Sequence, residues 1–465
     1  MGLRFKIAAN TIVQILGKLI SSGSTFLITV LLARRFGVTG FGEFVKITTY
    51  VSLFYLIVDF GLNAVTLKEV SNLKLKVKSE KLQFKVENYF SNLLGLRIVF
   101  ALVLIFLALA TLVFLPFNPL TLGGFTPLSK LGIIILVPTI LTQAIFTSAN
   151  AVFQKKLRYD LSVIASSVGS LITLALVFLL LKTNSPLLLV VGSYLIGGLV
   201  MAGIAFYLSK LLIPKSFALL KTSTIRGGRQ VIFNPDTSEV TKVQNFSHYS
   251  LKLWRGLFLK SLPLGLTLIF NLIYFKADTL ILTVFRPTSE VGIYGLARSF
   301  FEFPLAIPTF FMNAIYPVLI QRTKNKEQRT KEQEIELFQI IKKAAIFLII
   351  SSLLLSVICY LLSPYLTLIK QDFAPSVLVF RILSLYLPVF FLSSLFMWTL
   401  IAFGKQKLLV LIYGNAMIIN ILLNLFFIPR YGFLAAAVIL GASELIVLGL
   451  TGGFCLELFK KNNES

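Results

Sequence analysis

Long apolar runs separated by short polar breaks fill the 465-residue chain. An α-helix needs about 20 mainly apolar residues to cross the ~30 Å hydrocarbon layer of a bilayer. Twelve runs qualify: 10–33, 47–67, 90–115, 131–152, 161–181, 187–209, 255–283, 291–317, 343–362, 375–402, 408–428 and 433–456. The boundary between 255–283 and 291–317 is the least sharply drawn. This pattern predicts an all-α membrane protein of about 12 transmembrane helices. The first run is too long for the apolar core of a cleavable signal peptide and has no small-residue cleavage site, so it is expected to remain as the first span.

The polar breaks supply orientation. With the N-terminus inside, about 31 of the 44 Lys and Arg fall on the cytoplasmic side and about 10 outside, as positive-inside topology requires. The predicted inner segments 68–89, 153–160 and 322–343 are densely basic, whereas the outer breaks are short and basic-poor apart from Arg34 and Arg35. Both termini are therefore expected in the cytoplasm, with the protein in the cytoplasmic membrane.

The longest break, 210–254, divides the chain into a six-helix bundle over 1–209 and a second over 255–465. Within it, RQVIFNPDTSEVTKV offers two β-prone stretches about an Asn-Pro-Asp turn, so a small hairpin and an unstructured linker are both open. The exits of the first and seventh runs are alike at an offset of 250: Thr39 meets Ser289, Gly42 meets Gly292 and Phe44 meets Tyr294. Halves with six spans each share one orientation, so the expected repeat is parallel, a design that transporters use to rock two bundles about a central site.

Composition changes this picture little. At 57% apolar and 14% charged, the chain departs far from a soluble domain. Its net charge of +25 is accounted for by the inner loops, and no nucleic-acid partner is expected. Cys359 and Cys455 both sit in apolar runs, which argues against a disulfide framework or a metal site. His248, the sole histidine, lies in the linker, and no Walker A loop is present. The longest outer break, 116–130, has no Asp, Glu or His for catalysis. No enzyme activity and no cofactor are expected.

Charges inside spans are costly and mark function unless paired. Lys18 lies roughly 12 Å into the first run at 1.5 Å per residue, and Asp59 reaches a similar depth in the second. Arg97 is roughly 10 Å into the third. These charges share one inner layer, and either Lys18 and Asp59 pin two helices together or a cation faces a cavity. In the second half, Lys276, Asp278, Arg298, Glu302 and Arg381 lie towards the outer side. Arg298 and Glu302 are four apart and suited to pair, whereas Lys276 and Asp278 need separate partners. Glu444, near the middle of the last span, has no evident mate and suits protonation or cation coupling. Asp59, Glu302 and Glu444 are thus the ion-coupling candidates. Pro138, Pro263, Pro304, Pro308 and Pro388 mark where spans can bend.

The stretches GSTFLITVLLARRFGVTGFGEFVKI and KADTLILTVFRPTSEVGIYGLARSFFEFPLAIPTFFMNAIYPVL resemble the polysaccharide transporter family of Wzx-type flippases, within the superfamily that also holds multidrug (MATE) exporters and lipid II flippases. Asp278, the segment 290–294 and Pro317 carry most of the likeness. The resemblance implies a MATE-like fold and a flippase for undecaprenyl-pyrophosphate-linked oligosaccharide, with membrane lipids, H+ or Na+, a glycan polymerase and glycosyltransferases as associated partners. Lys18, Arg97, Lys276, Arg298 and Arg381 would then pair with the phosphates. Three alternatives stand beside it: a cation-coupled drug or metabolite exporter, a lipid II-type flippase, and a membrane scaffold recruiting glycan-synthesis enzymes through its basic loops. The first run carries Asn10, Gln14 and Lys18 and no acid, which favours an anionic substrate. A lipid II flippase is expected to have two further spans.

Overall fold

A computed structural model describes residues 3–76, 80–120, 123–212, 225–226, 229–232, 241–242, 250–323 and 331–463. His248 and the Asn234-Pro235-Asp236 turn lie outside these residues. The described residues are overwhelmingly helical. The first half contains α1 (Leu3–Ile57), α2 (Leu62–Lys76), α3 (Glu80–Phe114), α4 (Pro127–Leu136), α5 (Thr139–Lys156), α6 (Tyr159–Lys182) and α7 (Leu187–Leu212). After the linker come α8 (Leu251–Phe285), α9 (Thr288–Glu302), α10 (Ala306–Thr323), α11 (Lys331–Leu362), α12 (Ala374–Leu385), α13 (Leu387–Ala402) and α14 (Gln406–Asn463).

Among the described residues, eight helices are long and apolar enough to cross a membrane, or nine when the α12–α13 pair, bent by 42°, counts as one span. The count differs from twelve for a physical reason. Run 10–33 and the first part of run 47–67 are continuous in α1, the rest of 47–67 passing through the break at 58–61 into α2, and 408–428 and 433–456 are continuous in α14. A straight helix of 55 residues would extend about 83 Å, close to three hydrocarbon layers. Gly37 (φ 64°) and Gly432 (φ 60°) interrupt these two helices with left-handed backbone, which an L-residue with a Cβ adopts only at a cost of roughly 1–2 kcal/mol. The run 291–317 is divided at 303–305, around Pro304, into α9 and α10. Pro138 and Pro388 likewise sit at the α4–α5 and α12–α13 breaks, whereas α8 continues through Pro263. Proline lacks the N–H that would continue the helical ladder, so the chain breaks where packing accepts it.

Strands are few and short. Phe117–Asn118 (β1) pairs antiparallel with Gly123–Gly124 (β2) in the loop after α3. In the linker, Arg229–Ile232 (β4) pairs antiparallel with Ile225–Arg226 (β3) on one side and Thr241–Lys242 (β5) on the other, with Val231 opposite Lys242. The main apolar core joins both halves, running from Ile28 and Leu32 of α1 through Ile133 of α4 to Val291 and Leu296 of α9 and Leu383 of α12. Large apolar side chains such as Phe106, Val113, Leu353 and Leu361 point outward. An apolar exterior around an apolar core is what lipid as solvent permits.

Candidate functional site

The two halves meet where α1 crosses α9. A Cβ on Gly42 would stand 2.1 Å from the Thr288 carbonyl oxygen and 3.1 Å from the Gly292 nitrogen. A Cβ on Gly292 would stand 1.9 Å from the Val38 carbonyl oxygen and 3.1 Å from the Gly42 nitrogen. The contact is reciprocal, because Val38 and Thr288 stand in the same relation to each other's glycine. It joins the positions that the offset of 250 pairs in sequence. Absent side chains let the backbones touch, as in small-residue crossings of membrane helices generally.

Beside the glycines, polar groups fasten the seam. The Lys46 ammonium is fully buried and donates to Thr288 Oγ1 at 2.5 Å and to the Gly124 carbonyl at 2.7 Å. Glu43, 3.8 Å from Lys46, accepts from Thr126 Oγ1 at 2.7 Å and from Thr288 Oγ1 at 3.3 Å. Gly123 bridges to Pro287, so the β1–β2 hairpin lies across the seam. Arg286 pairs with Glu290 at 2.6 Å and donates to the Pro429 carbonyl at 3.3 Å, while Glu290 accepts from the Phe433 backbone at 3.3 Å. The turn around Gly432 is thereby tied to the same end of the molecule.

A second cluster lies on α8 and α9. Asp278 is fully buried and accepts from Thr279 N at 2.6 Å, from Tyr294 Oη at 2.5 Å and from the Arg298 guanidinium. Arg298 Nε donates to Glu302 at 2.9 Å, and Lys276 approaches the same carboxylate at 3.4 Å. Two cations face two carboxylates, so the group is neutral. The Glu302 side chain is 46% exposed.

In the first half, Asp59 pairs with Arg97 at 2.9 Å and not with Lys18. Arg97 is fully buried, and its guanidinium also donates to the Val58 carbonyl, Asn63 Oδ1, Ser148 Oγ and the Asp59 carbonyl. It therefore satisfies carbonyls freed by the break at 58–61, where Phe60 (φ 41°) and Gly61 (φ 70°) turn the chain. An open cavity cation is not what Arg97 is in this conformation. Lys18 is exposed, one residue after Gly17, whose Cα faces Val163 of α6. Arg381 donates to Ser363 Oγ at 2.8 Å and lies over the Tyr360 ring, away from the seam. Glu444 is buried and does have mates: it accepts from Tyr274 Oη at 2.8 Å and from Ser393 Oγ. Among the described residues no basic side chain pairs with it.

Against known proteins, the sequence profile of the polysaccharide biosynthesis protein family matches residues 7–323. The chain belongs to this family. The matched region holds the seam, the Asp59–Arg97 pair and the α8–α9 cluster; Arg381 and Glu444 lie beyond it. No curated protein matches the sequence. Among solved structures, lipid II flippase MurJ in an inward closed conformation is 15% identical with a TM-score of 0.69, covering 97% of this chain and 87% of its own. An inward-facing multidrug resistance MATE family transporter of the MOP superfamily is 11% identical with a TM-score of 0.69, over 97% of this chain and 99% of its own. An outward-facing one is 11% identical, with a TM-score of 0.60 over 98% and 96%. This family member thus has the fold of the MOP transporters and is a multi-pass membrane protein.

Of the eight residues singled out by sequence, Lys276, Arg298 and Glu302 come together, as do Asp59 and Arg97. Lys18, Arg381 and Glu444 stand apart. Sequence reasoning missed Glu43 and Lys46. They sit just before the run 47–67, where a charge is ordinarily read as a wet span end. Their three-residue spacing on one helix was the available signal.

Proposed function

We propose that this family member is a flippase, not an enzyme, that carries undecaprenyl-pyrophosphate-linked oligosaccharide from the inner to the outer leaflet by alternating access. The observation that carries the reading is membership of a polysaccharide biosynthesis family in a chain with a transporter fold. A pyrophosphate and a glycan are too polar to cross lipid unaided, and a protein cleft lowers that cost. In this reading α1 and α14 each count as two spans about Gly37 and Gly432, giving twelve in two bundles. The linker 210–254 and both termini are cytoplasmic, and the Gly42–Gly292 seam closes the outer side. Lys18 and Lys276 meet the phosphates, while Arg97, Arg298 and Arg381 hold the lining in place. Glu444 takes up H+ or Na+, with Asp59 and Glu302 as its cleft-facing companions. Glycan polymerase and glycosyltransferases would act on either side of the step.

The test is transport by the purified protein in liposomes, using a fluorescent lipid-linked oligosaccharide and a membrane-impermeant quencher. The quenchable fraction should rise with time only where protein is present, and a rise no faster than in protein-free vesicles would sink the proposal. The buried Glu444 also suits a cation-coupled exporter. Gradient-driven efflux of a fluorescent organic cation, with no movement of the glycolipid, would favour that reading.

A further inference from the structure

In the first half, α1, α4, α5, α6 and α7 line an open cavity of about 290 Å³ that none of the ion clusters touches. That is about the smallest size of a ligand pocket, and roughly ten water molecules' worth of space. Its lining has no charged residue and seven hydroxyls. The aliphatic ones share one arrangement. Thr48 donates to the Phe44 carbonyl at 2.9 Å, Ser52 to Thr49, Thr142 to Thr139 and Thr173 to Gly169 at 2.7–3.0 Å. With these protons committed to their own helices, the aliphatic hydroxyls offer oxygen lone pairs inward, and the phenols are the lining's free donors. Tyr55 and Tyr194 complete the lining with two apolar ring faces, and neither phenol has a hydrogen-bond partner among the described residues.

Such a lining selects by chemistry. A phosphate would meet no cation here and an organic cation no counter-charge. A neutral molecule with several O–H donors, some acceptors and an apolar face satisfies it. Two glycines keep the site in shape. A Cβ on Gly198 would come within 2.9 Å of Thr142 Oγ1, and one on Gly197 within 1.9 Å of Thr173 Oγ1. We infer that this cavity binds a neutral sugar unit of the transported glycan, separately from the contacts to its phosphates. The inference rests on the flippase reading for its substrate, and its test can fail independently.

The probe is a panel of methyl glycosides, with and without an N-acetyl group, read by saturation-transfer difference NMR on the full chain in nanodiscs. At least one glycoside should give ring-proton signals that fall fivefold or more in the near-isosteric Thr142→Val/Thr173→Val double variant and in Gly198→Leu. Ser52→Ala, at a half-buried position, should weaken them less and guards against misfolding of the other two. Three results would overturn the inference: no signal from any glycoside, signals unchanged in all the variants, or tetraphenylphosphonium signals abolished by the same substitutions. Lipid-linked glycan transport by the wild type with any of these outcomes removes the cavity assignment and leaves the flippase. Variant-sensitive glycoside binding without transport does the reverse.

Discussion

Gly292→Ala is the sharpest perturbation of the seam. Its Cβ would sit 1.9 Å from the Val38 carbonyl oxygen, whereas ordinary contact begins at 3.4 Å, so α1 and α9 must separate by some 1.5 Å there. The obstacle is backbone and cannot swing aside. Overpacking of this kind costs typically about 1–3 kcal/mol. The cost falls on the closed seam alone, so a protein that opens the seam during its cycle shifts towards the open state by about 5- to 150-fold at 1.4 kcal/mol per decade. Gly42→Ala meets the Thr288 carbonyl at 2.1 Å and should act in the same direction. Gly203→Ala, with nothing within 4 Å, is the control.

The reporter is Val45→Cys, a buried side chain packed against Gly295 across the seam, with Cys359 and Cys455 replaced by Ala. A membrane-impermeant thiol reagent applied from outside should label it at least five times faster in either glycine variant than in the parent, and no faster in Gly203→Ala. Unchanged labelling in both seam variants, with thermal stability preserved, would refute the claim that this crossing is a closed gate.

Other predictions address the ion clusters. Arg298→Met strands the fully buried Asp278 and should cost about 3–5 kcal/mol in detergent unfolding; adding Asp278→Asn should recover part of it, and a strictly additive loss would refute the pairing. Arg97→Leu removes donors from the 58–61 break and should destabilise by a similar about 3–5 kcal/mol, whereas loss of transport at unchanged stability would assign Arg97 to substrate instead. Glu444→Gln keeps the size of the side chain and its acceptor for Tyr274, so folding should persist while the dependence of transport on a proton or sodium gradient disappears. A gradient dependence equal to that of wild type would remove Glu444 from coupling.

Much of the helical frame was legible because its ends are chemical. The runs 161–181 and 187–209 lie close to α6 (Tyr159–Lys182) and α7 (Leu187–Leu212), bounded by Lys182, by the turn through Asn184 and Pro186, and by Lys210. Partner choice was not legible. Lys18 and Asp59 were expected in one layer, but Arg97 reached Asp59 because a helical break nearby left carbonyls that a guanidinium could serve along with the carboxylate. Lys46 was illegible for a different reason: its partner Thr288 is 242 residues away in the other half, and no local pattern reports that.

The pairing also bears on the expected lining. The net charge of +25 and the scattered intramembrane cations suggest a basic cleft. In both principal clusters, however, the arginine is buried and one carboxylate is exposed: Asp59 is 41% and Glu302 46% exposed, against 0% for Arg97 and 6% for Arg298, while Asp278 is buried with its arginine. If the flippase proposal holds, a pyrophosphate entering this conformation would meet Asp59 and Glu302 before the guanidinium groups. In the proposed flippase reading, contact with the head group would therefore fall to Lys276, which stays partly exposed beside Glu302, and to Lys18, which has no carboxylate beside it among the described residues. If either arginine touches substrate, its acid must first give way, and Glu302 is the better placed to do so because Lys276 can hold it once Arg298 turns to the phosphate. Substrate binding and the loss of an internal ion pair would then be one event, which is how a ligand biases a two-state transporter: it favours the state in which its own charge replaces one the protein already supplied.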